Sequence, residues 1–219
     1  GTFLIIDGDS KADYIVSGNG EIELDGTISL EGDWINNNAA SDGFTSENGT
    51  GTVQFVGNQD NMIIGGSQST NFESLTINRA SQNININTSP TVEGVLTLNN
   101  GILTATGTDT VRCKSTATGA VSGGNNGSYV NGNLVRAVVA STVYDFPIGD
   151  GENTTNYHRA TITTGATINT AELNAYVEEK TRTGNNTDVN LYDDGITEDG
   201  TPIVAVPSNG NGEYVEWDI

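Results

Sequence analysis

Asp7, Asp9 and Asp13 lie in the run Asp-Gly-Asp-Ser-Lys-Ala-Asp, carboxylates alternating around a glycine. Hard oxygen ligands spaced this way suit Ca²⁺. A helix–loop–helix calcium site also needs Gly at the sixth loop position and a bidentate Glu at the twelfth. Ala12 and Gly18 stand at those positions, so that motif is absent and an ordinary acidic turn is the plain alternative. A second acidic run holds Asp193, Asp194, Glu198 and Asp199 and offers the same ligand chemistry. These two runs are the candidate metal ligands, with Ca²⁺ as the ion, and no other cofactor is expected.

The remaining reactive residues are isolated. His158 is the sole histidine and Cys113 the sole cysteine, so neither a zinc site built on several His and Cys nor an intrachain disulfide can be assembled. Cys113 sits in the alternating run Val111-Arg112-Cys113, which predicts an inward core thiol rather than a nucleophile. No Gly-x-Ser-x-Gly elbow is present to pair a serine with His158. A glycosidase needs only two facing carboxylates, and the 28 acidic residues leave that arithmetically open. Trp34, Tyr129, Tyr144 and Tyr157 offer rings that can stack on sugars, with core or turn packing as the alternative. Thr161-Ile162-Thr163 and Asn83-Ile84-Asn85-Ile86-Asn87 alternate as flat ice-binding faces do. Alternation by itself says only that one face is wet; an ice face also requires a Thr column repeated over consecutive turns.

These residues must be positioned by strands. Ile28-Ser29-Leu30, Val53-Gln54-Phe55, Leu75-Thr76-Ile77 and Leu96-Thr97-Leu98 are in-out-in segments, and their first residues follow at intervals of 25, 22 and 21. Such a drifting period is the signature of a stacked solenoid. Minor apolar points between them, at Ile63-Ile64, Phe72, Ile84, Ile86 and Val92, suit a parallel β-helix with several short strands per turn. Five or six turns rising about 4.8 Å each would make a rod on the order of 25 Å long. Ile28, Leu30, Val53, Phe55, Leu75, Ile77, Leu96, Leu98, Val111 and Cys113 are expected to point inward. Asn-Gly occurs at Asn19, Asn48, Asn100, Asn126, Asn131, Asn209 and Asn211, a dipeptide suited to turns that need positive φ. Helical periodicity is nearly absent, and even at 171–180 Leu173, Ala175 and Val177 alternate as in a strand.

Composition narrows the partners. Hydrophobic residues make up 34% of the 219, so the core must be thin and repetitive. The formal net charge is −20 with 8 Lys plus Arg. Nucleic acid and anionic polysaccharide are poor partners, because both require clustered cations. No membrane insertion by this segment is expected.

The texture changes near residue 138. Longer strand candidates follow at 141–146, 159–163, 170–178, 203–206 and 213–219. The reading is all-β: a parallel β-helix over 1–137, then a β-sandwich-like unit over 138–219, with Phe146-Pro147-Ile148-Gly149 shaping the junction. The chain opens on Thr2-Phe3-Leu4-Ile5-Ile6 and closes on Trp217-Asp218-Ile219, both strand-like. The expectation is therefore a segment of a longer polypeptide, truncated within its last unit.

An ordered set of motifs runs through the chain. Gly32-Asp33-Trp34-Ile35-Asn36 is followed by Gly51-Thr52-Val53-Gln54-Phe55-Val56-Gly57, then by Phe72-Glu73-Ser74-Leu75-Thr76-Ile77. Gly94-Val95-Leu96-Thr97-Leu98-Asn99-Asn100-Gly101-Ile102, Val130-Asn131-Gly132 and Phe146-Pro147-Ile148-Gly149 complete the order. Together they resemble a family of large Bacteroidetes surface proteins, often exported by the type IX secretion system, over about residues 26–219. Asn61-Met62-Ile63-Ile64-Gly65 departs from the family's Gln-x-Ile-x-Gly, which weakens the case for a regular side-chain ladder there. The resemblance implies an extracellular or outer-surface structural and adhesive module without catalytic residues. Its partners would be neighbouring domains of the same polypeptide, other surface proteins or glycans. A β-helix glycoside hydrolase and a carbohydrate-binding module are the alternatives.

Overall fold

The computed structural model describes residues 14–18, 22–38, 44–45, 49–79, 83–151, 156–168, 170–180 and 214–216. Its strands recur in threes. One turn comprises β1 (Tyr14–Gly18), β2 (Ile22–Glu23) and β3 (Thr27–Leu30), and the next β4 (Trp34–Asn38), β5 (Phe44–Thr45) and β6 (Thr52–Phe55). The third is β7 (Met62–Gly66), β8 (Asn71–Phe72) and β9 (Ser74–Asn78), and the fourth β10 (Ile84–Ile86), β11 (Thr91–Val92) and β12 (Leu96–Asn100). In the fifth the first two positions fuse into β13 (Leu103–Cys113), and a 3₁₀ turn, Thr118–Ala120, leads to β14 (Val121–Gly123). The result is a parallel β-solenoid of about 5 turns.

Each position in a turn builds one face. The third strands form a five-stranded sheet in the order β14-β12-β9-β6-β3. Its register runs Ile28↔Val53↔Leu75↔Leu96↔Val121 and Leu30↔Phe55↔Ile77↔Leu98↔Gly123. The four segments that repeat in the sequence are thus stacked residue for residue. The first strands form a second parallel ladder, in which Met62↔Ile84↔Leu103 and Trp34↔Ile64↔Ile86 are aligned. Residues 62–66 keep register with both neighbouring strands. The third face is narrow: Phe72, Val92 and Cys113 align through β8, β11 and the end of β13.

The alternation that marks these strands fills the interior. Val53, Phe55, Leu75, Ile77, Leu96, Leu98, Val111 and Cys113 are all at most 1% exposed, and Leu30 is buried. Ile28, in the outermost strand of its sheet, is partly buried against the same core. Burying one such side chain contributes about 1.5–3 kcal/mol. The fifth rung, Val121-Ser122-Gly123, lacks the second apolar residue of the pattern: exposed Gly123 stands in register with Leu98. Gly123 has φ +82°, and a Cβ there would lie 2.2 Å from the Leu98 carbonyl oxygen. Gly66 is tighter still, with φ +124° and a Cβ position 2.1 Å from the Asn36 carbonyl oxygen.

Beyond the fifth turn the strands lengthen. β15 (Val130–Val138) pairs in parallel with β13, and its second half also pairs antiparallel with β18 (Ala171–Ala175). β16 (Val143–Gly149) pairs in parallel with the start of β15 and antiparallel with β17 (Tyr157–Thr163). The expected division at 137/138 falls within β15, where one continuous sheet passes from parallel to antiparallel pairing. β19 (Glu178–Lys180) and β20 (Tyr214–Glu216) make a separate antiparallel pair. Most of the expected sandwich-like unit, at 181–213, lies outside the described residues. Phe146, Pro147, Ile148 and Gly149 are buried in β16. Pro147 sits where a side chain on Gly124 would clash, at 2.4 Å, so this motif docks the terminal hairpin onto the turn after β14.

Candidate functional site

Strand alternation that sends apolar residues inward sends the intervening residues to solvent. On the five-stranded face this makes two registered columns. One is Ser29–Gln54–Thr76–Thr97–Ser122 and the other Thr27–Thr52–Ser74. Ser29, Thr27 and Ser122 are exposed, and Gln54, Thr76, Thr97, Thr52 and Ser74 are half-buried among their neighbours. None carries charge, in a chain of net charge −20. The narrow face is different: Arg112 pairs with Glu172, and Lys114 with Glu93 at 2.6 Å.

Two arginines lie in the interior. Arg136 is fully buried. It shares parity with Leu134 and Val138 and aligns with Cys113, so its side chain enters the core. One terminal nitrogen donates to the Asp145 carbonyl, and the other to the carbonyls of Thr118 (3.0 Å) and Ala117 (3.2 Å). Its guanidinium lies 5.1 Å from the Tyr144 ring centroid and 5.7 Å from that of Phe146. Burial pulls its pKa below the ordinary value, against the opposing influence of Cys113, Tyr144 and Asp145. Arg79 is likewise buried. It donates to the carbonyls of Asn83 (2.6 Å) and Gln59, while its own amide donates to Asn100 (2.8 Å). One side chain thereby ties together the corners of successive turns.

No protein-family model, curated protein or solved structure matches this chain.

Asp7, Asp9, Asp13, Asp193, Asp194, Glu198 and Asp199 all lie outside the described residues. Among the described residues no three His, Cys, Asp or Glu side chains gather to hold a metal ion. Also among them, no helix is long and apolar enough to cross a membrane. Cys113 is fully buried, and burial pushes its thiol up to about 12, which removes it as a nucleophile at neutral pH. His158 lies on the terminal hairpin with Nε2 3.4 Å from Asp150 Oδ1.

Three of the four candidate sugar-stacking rings are core. Trp34, Tyr129 and Tyr144 are fully buried. Trp34 donates from Nε1 to Thr70 Oγ1 (2.9 Å) and packs edge-on to Phe72. The hydroxyls of Tyr129 and Tyr144 donate to the carbonyls of Gly151 (2.7 Å) and Thr116 (2.9 Å). Tyr157 alone is half-buried, with its ring centroid 5.8 Å from that of Tyr129.

Asp145, Arg159 and Thr161 form a surface cluster that sequence reasoning missed. Arg159 grips both carboxylate oxygens, at 2.6 and 3.2 Å, and Thr161 Oγ1 donates to the same carboxylate at 2.8 Å. These contacts hold the Asp145 carboxyl below the usual carboxylate range, the Arg159 hydrogen bond foremost. No spacing rule marks such a group, because it depends on the pairing of β16 with β17. The buried arginines did leave a signal: strand parity places Arg136 inward with Leu134.

Proposed function

We propose that this chain is a structural and adhesive segment of a large secreted bacterial surface protein, acting as a stiff stalk that presents a binding surface. The observation that carries the reading is the in-register stacking of five rungs on one face, backed by parallel ladders on the other two. Every rung is hydrogen-bonded to the next, so extra length comes from adding turns rather than from a larger core. The buried Arg79 and Arg136 clamp corners with their hydrogen bonds instead of serving a reacting group. The acidic surface favours solubility outside the cell, and the ordered motifs resemble surface proteins of the Bacteroidetes. In this reading the chain is not an enzyme. It works at the extracellular or outer cell surface, with neighbouring domains of its own polypeptide, other surface proteins or glycans as partners.

The test is protease shaving of intact source cells, followed by antibody labelling of this segment. The proposal expects labelling of unbroken cells that shaving removes. Labelling that requires lysis would overturn it.

A further inference from the structure

Asn-Gly suits turns, but it also carries chemistry of its own. Glycine has no side chain, so its amide nitrogen is the backbone's least hindered nucleophile toward the side chain of a preceding asparagine. Three Asn-Gly pairs lie wholly within the described residues: Asn100-Gly101, Asn126-Gly127 and Asn131-Gly132. The fold treats them differently. Gly101 is buried, and its N–H donates to the Gly127 carbonyl at 2.8 Å. Asn131 and Gly132 lie inside β15, where Asn131 aligns with both Thr104 and Gly149, and Gly132 with Ala105. Reaction at either pair requires local opening of the stack.

Asn126-Gly127 is instead the apex of the turn that joins β14 to β15. Asn125 and Ser128 close this turn with two backbone hydrogen bonds of 2.9 Å, and Asn126 between them is exposed. The Gly127 N–H is held outside any ladder, by Oδ1 of exposed Asn125 at 2.7 Å.

We infer that Asn126 is a site of spontaneous deamidation and that the Asn125 side chain slows the step. The Gly127 nitrogen loses its proton and attacks Cγ of Asn126. A C–N bond forms, the bond from Cγ to Nδ2 breaks, and ammonia leaves with the proton. One water then opens the succinimide at either carbonyl, giving aspartate or isoaspartate and restoring the Gly127 N–H. Asn125 opposes the first step because its hydrogen bond favours the protonated amide. Isoaspartate adds a carbon to the backbone of a turn whose ends are fixed. Ser128 is buried, with Oγ donating to the Gly101 carbonyl at 2.9 Å, and Gly124 lies against Pro147. The lengthened turn loosens the joint between the fifth rung and the terminal strands.

The inference stands apart from the stalk reading, which cell-surface labelling tests separately. The chain is aged at neutral pH and physiological temperature, and each asparagine is followed by peptide mass spectrometry. Electron-transfer fragmentation distinguishes isoaspartate from aspartate. Asn126 should convert at least about tenfold faster than Asn100 or Asn131, because those two wait on local opening. Conversion in Asn125→Ala should run about threefold faster, as loss of one exposed hydrogen bond implies. Asn125→Asp keeps an acceptor oxygen and should not be accelerated. The melting temperature of the chain should fall as isoaspartate accumulates, while Asn126→Gln aged alongside holds its own. Thermal melts monitor folding of the variants, and the comparison of the three pairs needs none of them. Absence of conversion at Asn126, or equal rates at the three pairs in a folded chain, overturns the inference. A folded Asn125→Ala that converts no faster overturns the part given to Asn125. A melting temperature that stays constant as isoaspartate accumulates overturns the loosened joint.

Discussion

At the scale of single residues, two buried arginines join the apolar ladders in the interior. Arg136 satisfies three carbonyl groups, from Asp145, Ala117 and Thr118, and lies between the rings of Tyr144 and Phe146. Methionine matches its length but leaves those acceptors unpaired. Arg136→Met should therefore cost about 2–3 kcal/mol, read as a lower urea midpoint with an unchanged slope. An unaltered midpoint would show that the carbonyls find other donors.

Asp145 has a pH signature of its own. Its folded pKa is depressed, chiefly by the hydrogen bond from Arg159, so the stability it contributes is present above the ordinary carboxylate value of about 3.9. That contribution is lost as pH falls through the lower folded value. The melting-temperature difference between the protein and Asp145→Asn should be fully open near neutrality and close below about pH 4. A gap that persists in acid would mean that the carboxylate acts through packing rather than charge.

At the scale of elements, the rungs were legible because each is an apolar-polar-apolar triplet at nearly constant spacing. Val53, Phe55, Leu75, Ile77, Leu96 and Leu98 fall inward as the alternation requires. The fifth rung, Val121-Ser122-Gly123, hid behind its glycine, whose role depends on a neighbour 25 positions earlier. The same is true of the outward hydroxyl columns and of the Asp145–Arg159 pair. Both depend on register between strands, which no local pattern fixes. The narrow third face was harder still, since two-residue strands such as β8 and β11 carry too few residues to show a period.

Gly66 offers a direct test of how tightly the turns are stacked. Its φ of +124° and the Asn36 carbonyl 2.1 Å from its Cβ position forbid a side chain, whereas Gly26 has nothing within 4 Å. Gly66→Ala should lower the melting temperature by several degrees or prevent folding, and Gly26→Ala should change it little. Equal tolerance at both positions would contradict the close approach of β4 and β7.

At the scale of the whole molecule, the chain is a stack whose two ends differ. From β1 to β14 each turn repeats the last, and a side chain is buried by neighbours one turn above and below. β15 continues the parallel sheet from β13 and β16 pairs in parallel with its start, while β18 and β17 add antiparallel pairs to β15 and β16. The length of the rod is thus set by the number of turns, and neither outward column of the five-stranded face holds a charged residue. Ser29, Thr76, Thr97 and Ser122 occupy one column, at rungs one, three, four and five. Spin labels on cysteines placed pairwise at these positions test the stack most directly, since Cys113 is buried and inert to labelling. Measured from Ser29, the backbone separations should climb evenly, to about 10 Å at Thr76, about 14 Å at Thr97 and about 19 Å at Ser122. Separations that fail to rise in step with rung number would contradict the solenoid, and with it the stalk that the solenoid is proposed to form.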